Sequence, residues 1–75
     1  MWIRQQKSIR LYNCSWVHVV KQDASQSVLQ GLIADKHRGV DLGTYSDQGR
    51  VDNIVSEIRT LIQTGHTVIY EMPDE

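Results

Sequence analysis

The strongest constraint on the fold is a stripe of aliphatic residues in the last third of the chain. It consists of Val51, Ile54, Val55, Ile58, Leu61 and Ile62. These positions recur at the spacing of a helix, about 3.6 residues per turn, and therefore share one face. Ser46 is the predicted N-cap, Asp47 lies in the predicted first turn, and Gly65 is predicted to follow the last helical residue, Thr64. Because one stripe cannot bury itself, the helix needs a second layer to pack on.

The same stripe could form the seam of a coiled coil. That seam would consist of Val51, Ile54, Ile58 and Leu61. It would cover only two heptads, which is too short to stand alone, and Val55 and Ile62 widen the stripe toward a broader contact. The wider stripe favours packing against a sheet.

The residues before this helix alternate between apolar and polar, which is typical of strands with one buried face. The predicted strands cover residues 2–5, 9–13, 16–22, 27–34 and 40–45, with a last short strand over 67–72. Polar residues at 13–15 predict a bend or bulge, and Gly31 predicts a twist or a close backbone approach. The predicted fold is α+β, with residues 1–75 as a single domain. It is an antiparallel β-meander of about five strands packed on one C-terminal amphipathic helix, followed by a short terminal strand.

Charge and cysteine content narrow the classes of function. The net charge of −1 argues against a protein that mainly binds bulk nucleic acid or an anionic membrane surface. Residues 1–22 contain four basic residues and no acid, so the N-terminal half is locally basic. Cys14 is the only cysteine, which excludes an intrachain disulfide and fits a reducing cytoplasm. We expect a cytoplasmic protein without a membrane span, because no apolar stretch approaches the roughly 18 residues that a span needs.

The histidines do not have the spacing of metal ligands. His18, His37 and His66 fall in a strand, a hairpin loop and a turn, and only one cysteine could join them. Cys14 and His18 lie about 13 Å apart along an extended strand at about 3.3 Å per residue, too far for a nucleophile and its base. We therefore predict no metal, no cofactor and no catalytic residue.

One loop carries the only arrangement that suggests an enzyme. It contains Asp35, His37, Arg38 and Asp41. Short loops between strands are usually polar because they are solvated, so an enzyme ranks last among the functions considered.

The strongest functional indication is the mixture of cations and aromatic residues in the N-terminal half. The candidate interaction face consists of Arg10, Tyr12, Trp16, His18 and Lys21. Its even-numbered members share strand parity and could stack bases and neutralise phosphates. Aromatic residues on the second face of a small sheet more often pack against a partner subunit or against each other.

Short motifs near both ends and before the helix suggest a relationship. They are Met1-Trp2-Ile3-Arg4, Leu42-Gly43-Thr44-Tyr45-Ser46 and Glu71-Met72-Pro73-Asp74-Glu75. With them, the chain resembles, over nearly its full length, a loose group of small bacterial and phage proteins without a characterised function. The resemblance implies a strand meander closed by one helix and a neighbourhood of phage or mobile elements, and it implies no catalytic motif. Gly49 departs from the stronger helix former usual there.

These observations favour a non-enzymatic protein-interaction module that forms a homodimer or small homo-oligomer. A domain of 75 residues buries only roughly 60% of its unfolded surface, so association would add stability. The alternative is an accessory protein that binds nucleic acid or a small nucleotide. In the interaction-module hypothesis, the sheet edge or the aromatic face contacts a second copy or a protein partner.

Overall fold

The described part of the chain contains five strands and one helix. In the computed structural model it comprises residues 1–21, 23, 25–36 and 38–74. In chain order the elements are β1 (Trp2–Arg4), β2 (Leu11–Lys21), β3 (Ser27–Ile33), β4 (Arg38–Tyr45), α1 (Gln48–Gln63) and β5 (Tyr70–Glu71). The predicted α+β class is confirmed. Four residues lie outside the described part of the chain, among them the last residue of the predicted strand 16–22 and the histidine of the predicted hairpin loop; they are Gln22, Ala24, His37 and Glu75.

The sheet is mixed, so the prediction of a purely antiparallel meander is wrong. Its strand order is β4-β3-β2-β1-β5, with antiparallel pairing from β1 to β4 and parallel pairing of β5 with β1. The helix lies mid-chain between β4 and β5, not at the C-terminus. It carries the chain from one edge of the sheet to the other, where β5 enters beside β1 in the same direction.

A bulge in β2 sets the phase of the buried side chains. The predicted bulge is confirmed by a register shift between Cys14 and Trp16, but the chain stays in one strand of 11 residues instead of two. Ser15 is the extra residue. Cys14 and Val17 are consequently both fully buried although they are three positions apart.

The helix begins one residue later than predicted. Asp47, not Ser46, is the N-cap, and its carboxylate accepts hydrogen bonds from the N–H groups of Gly49 and Arg50. Asp47 has an extended backbone conformation, as an N-cap residue requires. At the other end Gly65 has a φ of 72°, which confirms the predicted left-handed residue after the helix.

The core lies between the helix and one face of the sheet. Its members are Ile3, Cys14, Val17, Leu29, Leu42, Tyr45, Val51, Ile54, Val55, Ile58 and Met72. The predicted close approach at Gly31 is confirmed: a Cβ there would lie 2.5 Å from Cys14 Sγ and 2.9 Å from Leu42 Cδ1. Only glycine leaves room for these two side chains.

The sheet curls so that the turn after β1 lies against the outer edge of β4. The Gln6 N–H donates to the Leu42 carbonyl at 2.8 Å, and the Thr44 N–H donates to Gln6 Oε1 at 3.0 Å. Gln5 Nε2 also donates to the Asp41 carbonyl at 2.7 Å. The turn after β1 thus supplies partners that a neighbouring strand would otherwise supply.

Candidate interaction surfaces

The five residues of the predicted interaction face do not lie on one face of the sheet. Arg10 precedes β2, and its N–H donates to Ser8 Oγ at 3.0 Å. Tyr12 lies before the bulge and packs against the core. His18 lies after the bulge and follows the buried Val17, so its side chain is on the opposite face. The bulge breaks the parity on which the prediction depended.

Trp16 and Lys21 lie in the second half of β2. Trp16 is half-buried, and the Arg59 guanidinium carbon lies 5.1 Å from the centre of its ring. This is the distance of a cation–π contact. Lys21 is exposed at the end of the strand. A binding role for the five residues stays a prediction.

A group of exposed apolar residues, here called the apolar patch, lies on the sheet face opposite the helix. It consists of Trp2, Leu11 and Ile69, which are 49%, 39% and 51% exposed. Trp2 precedes the buried Ile3, and Leu11 pairs with Arg4, so both alternate to the uncovered face. Ile69 immediately precedes Tyr70, the partner of Ile3, and the parallel register continued by one residue would place it opposite Trp2.

Sequence reasoning missed this patch because β1 is only three residues long. A strand that short gives too little alternation to assign its faces. An ion pair between Arg4 Nε and Glu71 Oε1, 3.1 Å apart, borders the patch on the same face. The Arg4 Nε–H is not aligned for a hydrogen bond with the Glu71 carboxylate, so the contact is an ion pair only.

The second half of β2 has a side without a neighbouring strand in the described part of the chain. The residues of β2 that pair with β1 are Leu11, Tyr12 and Asn13, and the Met1 carbonyl accepts the Cys14 N–H at 2.8 Å. Beyond that point β2 pairs with β3 alone. We call this side, from Val17 to Lys21, the open edge.

Arg59 shows which main-chain groups point toward the open edge. Its Nε and Nη2 donate to the Val17 carbonyl at 3.1 and 3.0 Å. Groups of an antiparallel strand alternate between its two sides, so the N–H and C=O groups of Val19 and Lys21 point the same way as those of Val17. These groups can accept an additional strand.

A groove runs between the open edge and α1. It has a volume of about 490 Å³ and is lined by Val19, Asp52, Val55, Ser56, Arg59, Thr60 and Gln63. Its floor is apolar and its helix wall is mostly polar. A groove between a strand edge and a helix suits an extended peptide better than a compact small molecule.

The groups with shifted pKa values lie in or against the core or in a turn, and burial or local hydrogen bonds cause the shifts. Burial raises the pKa of the Cys14 thiol. Burial and a hydrogen bond to the Glu57 carboxylate raise the pKa of Tyr70 well above its usual value. Hydrogen bonds from Ser25 lower the pKa of the exposed Asp23 carboxyl in the hairpin turn. Each shift has a structural cause, and none creates a nucleophile or a base.

Of the two acidic residues in the loop that suggested an enzyme, Asp41 forms a hydrogen bond with a residue outside that loop. The Asp41 carboxylate accepts a hydrogen bond from Gln30 Nε2 at 2.8 Å. Arg38 is exposed at the start of β4, and His37 lies outside the described residues. Within residues 1–21, 23, 25–36 and 38–74, no three His, Cys, Asp or Glu side chains are grouped as metal ligands.

Comparison of the chain with known protein families, with curated proteins and with solved structures finds no match in any of the three. Over the described residues, α1 is too short and too polar to cross a membrane.

Proposed function

We propose that the protein is a non-enzymatic interaction module that forms a homodimer through the apolar patch. The observation that supports this proposal is the exposure of Trp2, Leu11 and Ile69 on the face that α1 leaves uncovered. Scattered exposed apolar residues are normal on a protein surface, but adjacent large ones on one sheet face are typical of an interface. A tryptophan at the centre of such a patch is a common energetic anchor.

A twofold dimer would bury each of these side chains twice, once in each subunit. Complete burial of a large apolar side chain contributes about 1.5–3 kcal/mol, and these residues are already half-buried. Part of the gain is offset by the loss of rotational and translational freedom on association. We therefore expect a dissociation constant in the micromolar range.

Sedimentation equilibrium at protein concentrations from about 5 to 500 μM tests the proposal. Leu11→Lys places a charge in the patch, and we expect this variant to stay monomeric where the wild type dimerises. Ile9→Lys is the matched control, because Ile9 is 88% exposed in the turn before β2 and outside the patch. A wild type that is monomeric at every concentration, or equal dimerisation of Leu11→Lys and Ile9→Lys, would overturn the proposal.

Binding of nucleic acid or a nucleotide is less well supported. Arg4 pairs with Glu71, and Arg59 is bonded to the main chain of β2. Arg10 lies just before the start of β2, and Lys21 lies at its far end. A phosphate chain would need several uncommitted cations along one surface. Single-stranded oligonucleotide binding that appears at about 50 mM salt and weakens as salt rises would favour this alternative.

A further inference from the structure

The open edge and the groove beside it form a second surface, separate from the apolar patch. The N–H and C=O groups of Val19 and Lys21 point into solvent beside α1. An extended segment placed there could form up to four main-chain hydrogen bonds with these two residues. Its alternate side chains would meet Val19 and Val55, which form the apolar floor of the groove.

Charge is distributed unevenly along the groove. Asp52 lies toward the Lys21 end, because it accepts a hydrogen bond from Gln48, which itself accepts one from Ser27 opposite Lys21. Arg59 lies at the other end, beside Val17. Both Arg59 hydrogen bonds to the described part of the chain go to the Val17 carbonyl and come from Nε and Nη2, so the donors of Nη1 take part in neither.

We propose that this groove binds an extended peptide of another protein, which adds to β2 as a strand and places a carboxylate beside Arg59. Main-chain pairing supplies most of the affinity, and the side-chain pockets and the carboxylate supply specificity. Arginine favours this role because its guanidinium can keep one hydrogen bond to β2 while it donates others to a carboxylate.

A second copy of this chain fits the groove less well. In a symmetric antiparallel pairing of two β2 strands about Val19, Lys21 of each copy would lie opposite Val17 of the other. Lys21 would then approach Arg59, and like charges that lie close together oppose pairing. The same position favours an acidic side chain or a terminal carboxylate.

A display library of random octapeptides, selected on the full-length protein, is the probe. We expect the enriched sequences to share one acidic position, and one synthetic octapeptide from them to slow amide hydrogen exchange at Val19 and Lys21. In the protein alone the amides of Val19 and Lys21 should exchange fast, because their N–H groups point away from β3. The amides of His18 and Val20 point toward β3 and should be protected.

Two pairs of variants locate the site. Arg59→Gln keeps a donor for the Val17 carbonyl but removes the charge, and it should weaken binding of the selected peptide about five- to tenfold. Arg50→Gln, on the other side of α1, should leave binding unchanged. Lys21→Pro removes an N–H that points to the open edge and should weaken binding at least fivefold, whereas Lys21→Ala should not.

Four outcomes would overturn the inference. The first is that selection enriches no sequence, and the second is that the enriched peptide shifts the resonances of Trp2 and Ile69 and not those of the open edge. The third is that Arg59→Gln binds the peptide as tightly as the wild type. Protection of Val19 and Lys21 that rises with protein concentration alone would assign the edge to a second copy. Because Leu11→Lys leaves the groove intact, peptide binding by that variant would separate this inference from the proposed dimer.

Discussion

Substitution of Gly31 by alanine tests the close approach of β3 to the side chains of Cys14 and Leu42. The new Cβ would lie 2.5 Å from Cys14 Sγ and 2.9 Å from Leu42 Cδ1, in a part of the core where both side chains are fully buried. Ordinary contacts between such atoms are about 3.5–4.0 Å. Neither neighbour can move into solvent, so β2 and β3 must separate or the side chains must leave their rotamers. Overpacking of this kind costs about 1–3 kcal/mol.

Gly39→Ala is the matched control. Gly39 is exposed in β4, and the nearest atom to its added Cβ would be Gln30 Oε1 at 3.5 Å, an ordinary contact. Replacing glycine within a strand by alanine gains roughly 0.5–1 kcal/mol from reduced backbone freedom, and this gain applies to both variants. The difference between them therefore isolates the steric overlap. With a urea m-value near 1 kcal/mol per molar, the unfolding midpoint of Gly31→Ala should be about 1–3 M below that of Gly39→Ala.

A double-mutant cycle identifies the clashing atom. Cys14→Ala removes Sγ, after which the nearest atom of residue 14 is its Cβ at 3.4 Å. In that background Gly31→Ala should lose at least half of its cost, because only the contact with Leu42 remains. Equal costs in the two backgrounds, or a cost below about 0.5 kcal/mol in the wild type, would refute the reasoning.

Three further predictions concern the helix cap and the buried groups. Asp47→Ala should lower the free energy of unfolding by about 1 kcal/mol in urea titrations, whereas Asp47→Asn, which keeps an acceptor for the helix N–H groups, should lose much less. Tyr70 has a raised pKa in the fold, so the stability that it contributes is complete below its usual pKa of 10 and is lost as pH rises above that value. Tyr70→Phe should therefore flatten the decline of the urea midpoint between about pH 10 and pH 11, and an unchanged slope would contradict this. Cys14 should react with a thiol reagent at pH 8 only at the rate of unfolding, and fast labelling of the native protein would contradict its burial.

The features that the sequence predicted are those that local chemistry determines. The aliphatic stripe from Val51 to Ile62 predicted the helix and its buried face, because the helical spacing of apolar residues can be recognised without knowing what the helix packs against. Gly65 marked the end of the helix, and Gly31 marked a close approach. The cap was misplaced by one residue because Ser46 and Asp47 both suit an N-cap, and only the backbone conformation distinguishes them.

The features that the sequence did not predict depend on long-range pairing. The interruption of the alternation at residues 13–15 indicated a bulge, but it could not show that the strand continues and that Tyr12 and Trp16 lie on opposite faces. β5 is only two residues long, so the pattern of its side chains could not predict its parallel pairing with β1. The open edge exists because β1 covers only the first residues of β2, and the local sequence does not predict where that pairing ends.

The three-stranded part of the sheet formed by β2, β3 and β4 has two outer sides, and only the side on β4 is blocked, which supports a binding role for the open edge on β2. A protein that only avoids aggregation has to block unpaired strands. The outer edge of β4 is blocked by main-chain and amide groups of Gln5 and Gln6, which form hydrogen bonds as a strand would. On β2, in the described part of the chain, the Val17 carbonyl is the only main-chain group that Arg59 hydrogen-bonds, so the main-chain groups of Val19 and Lys21 remain beside an apolar floor. A cation at one end of an otherwise open edge protects it weakly, but it does select for a strand that carries a negative charge.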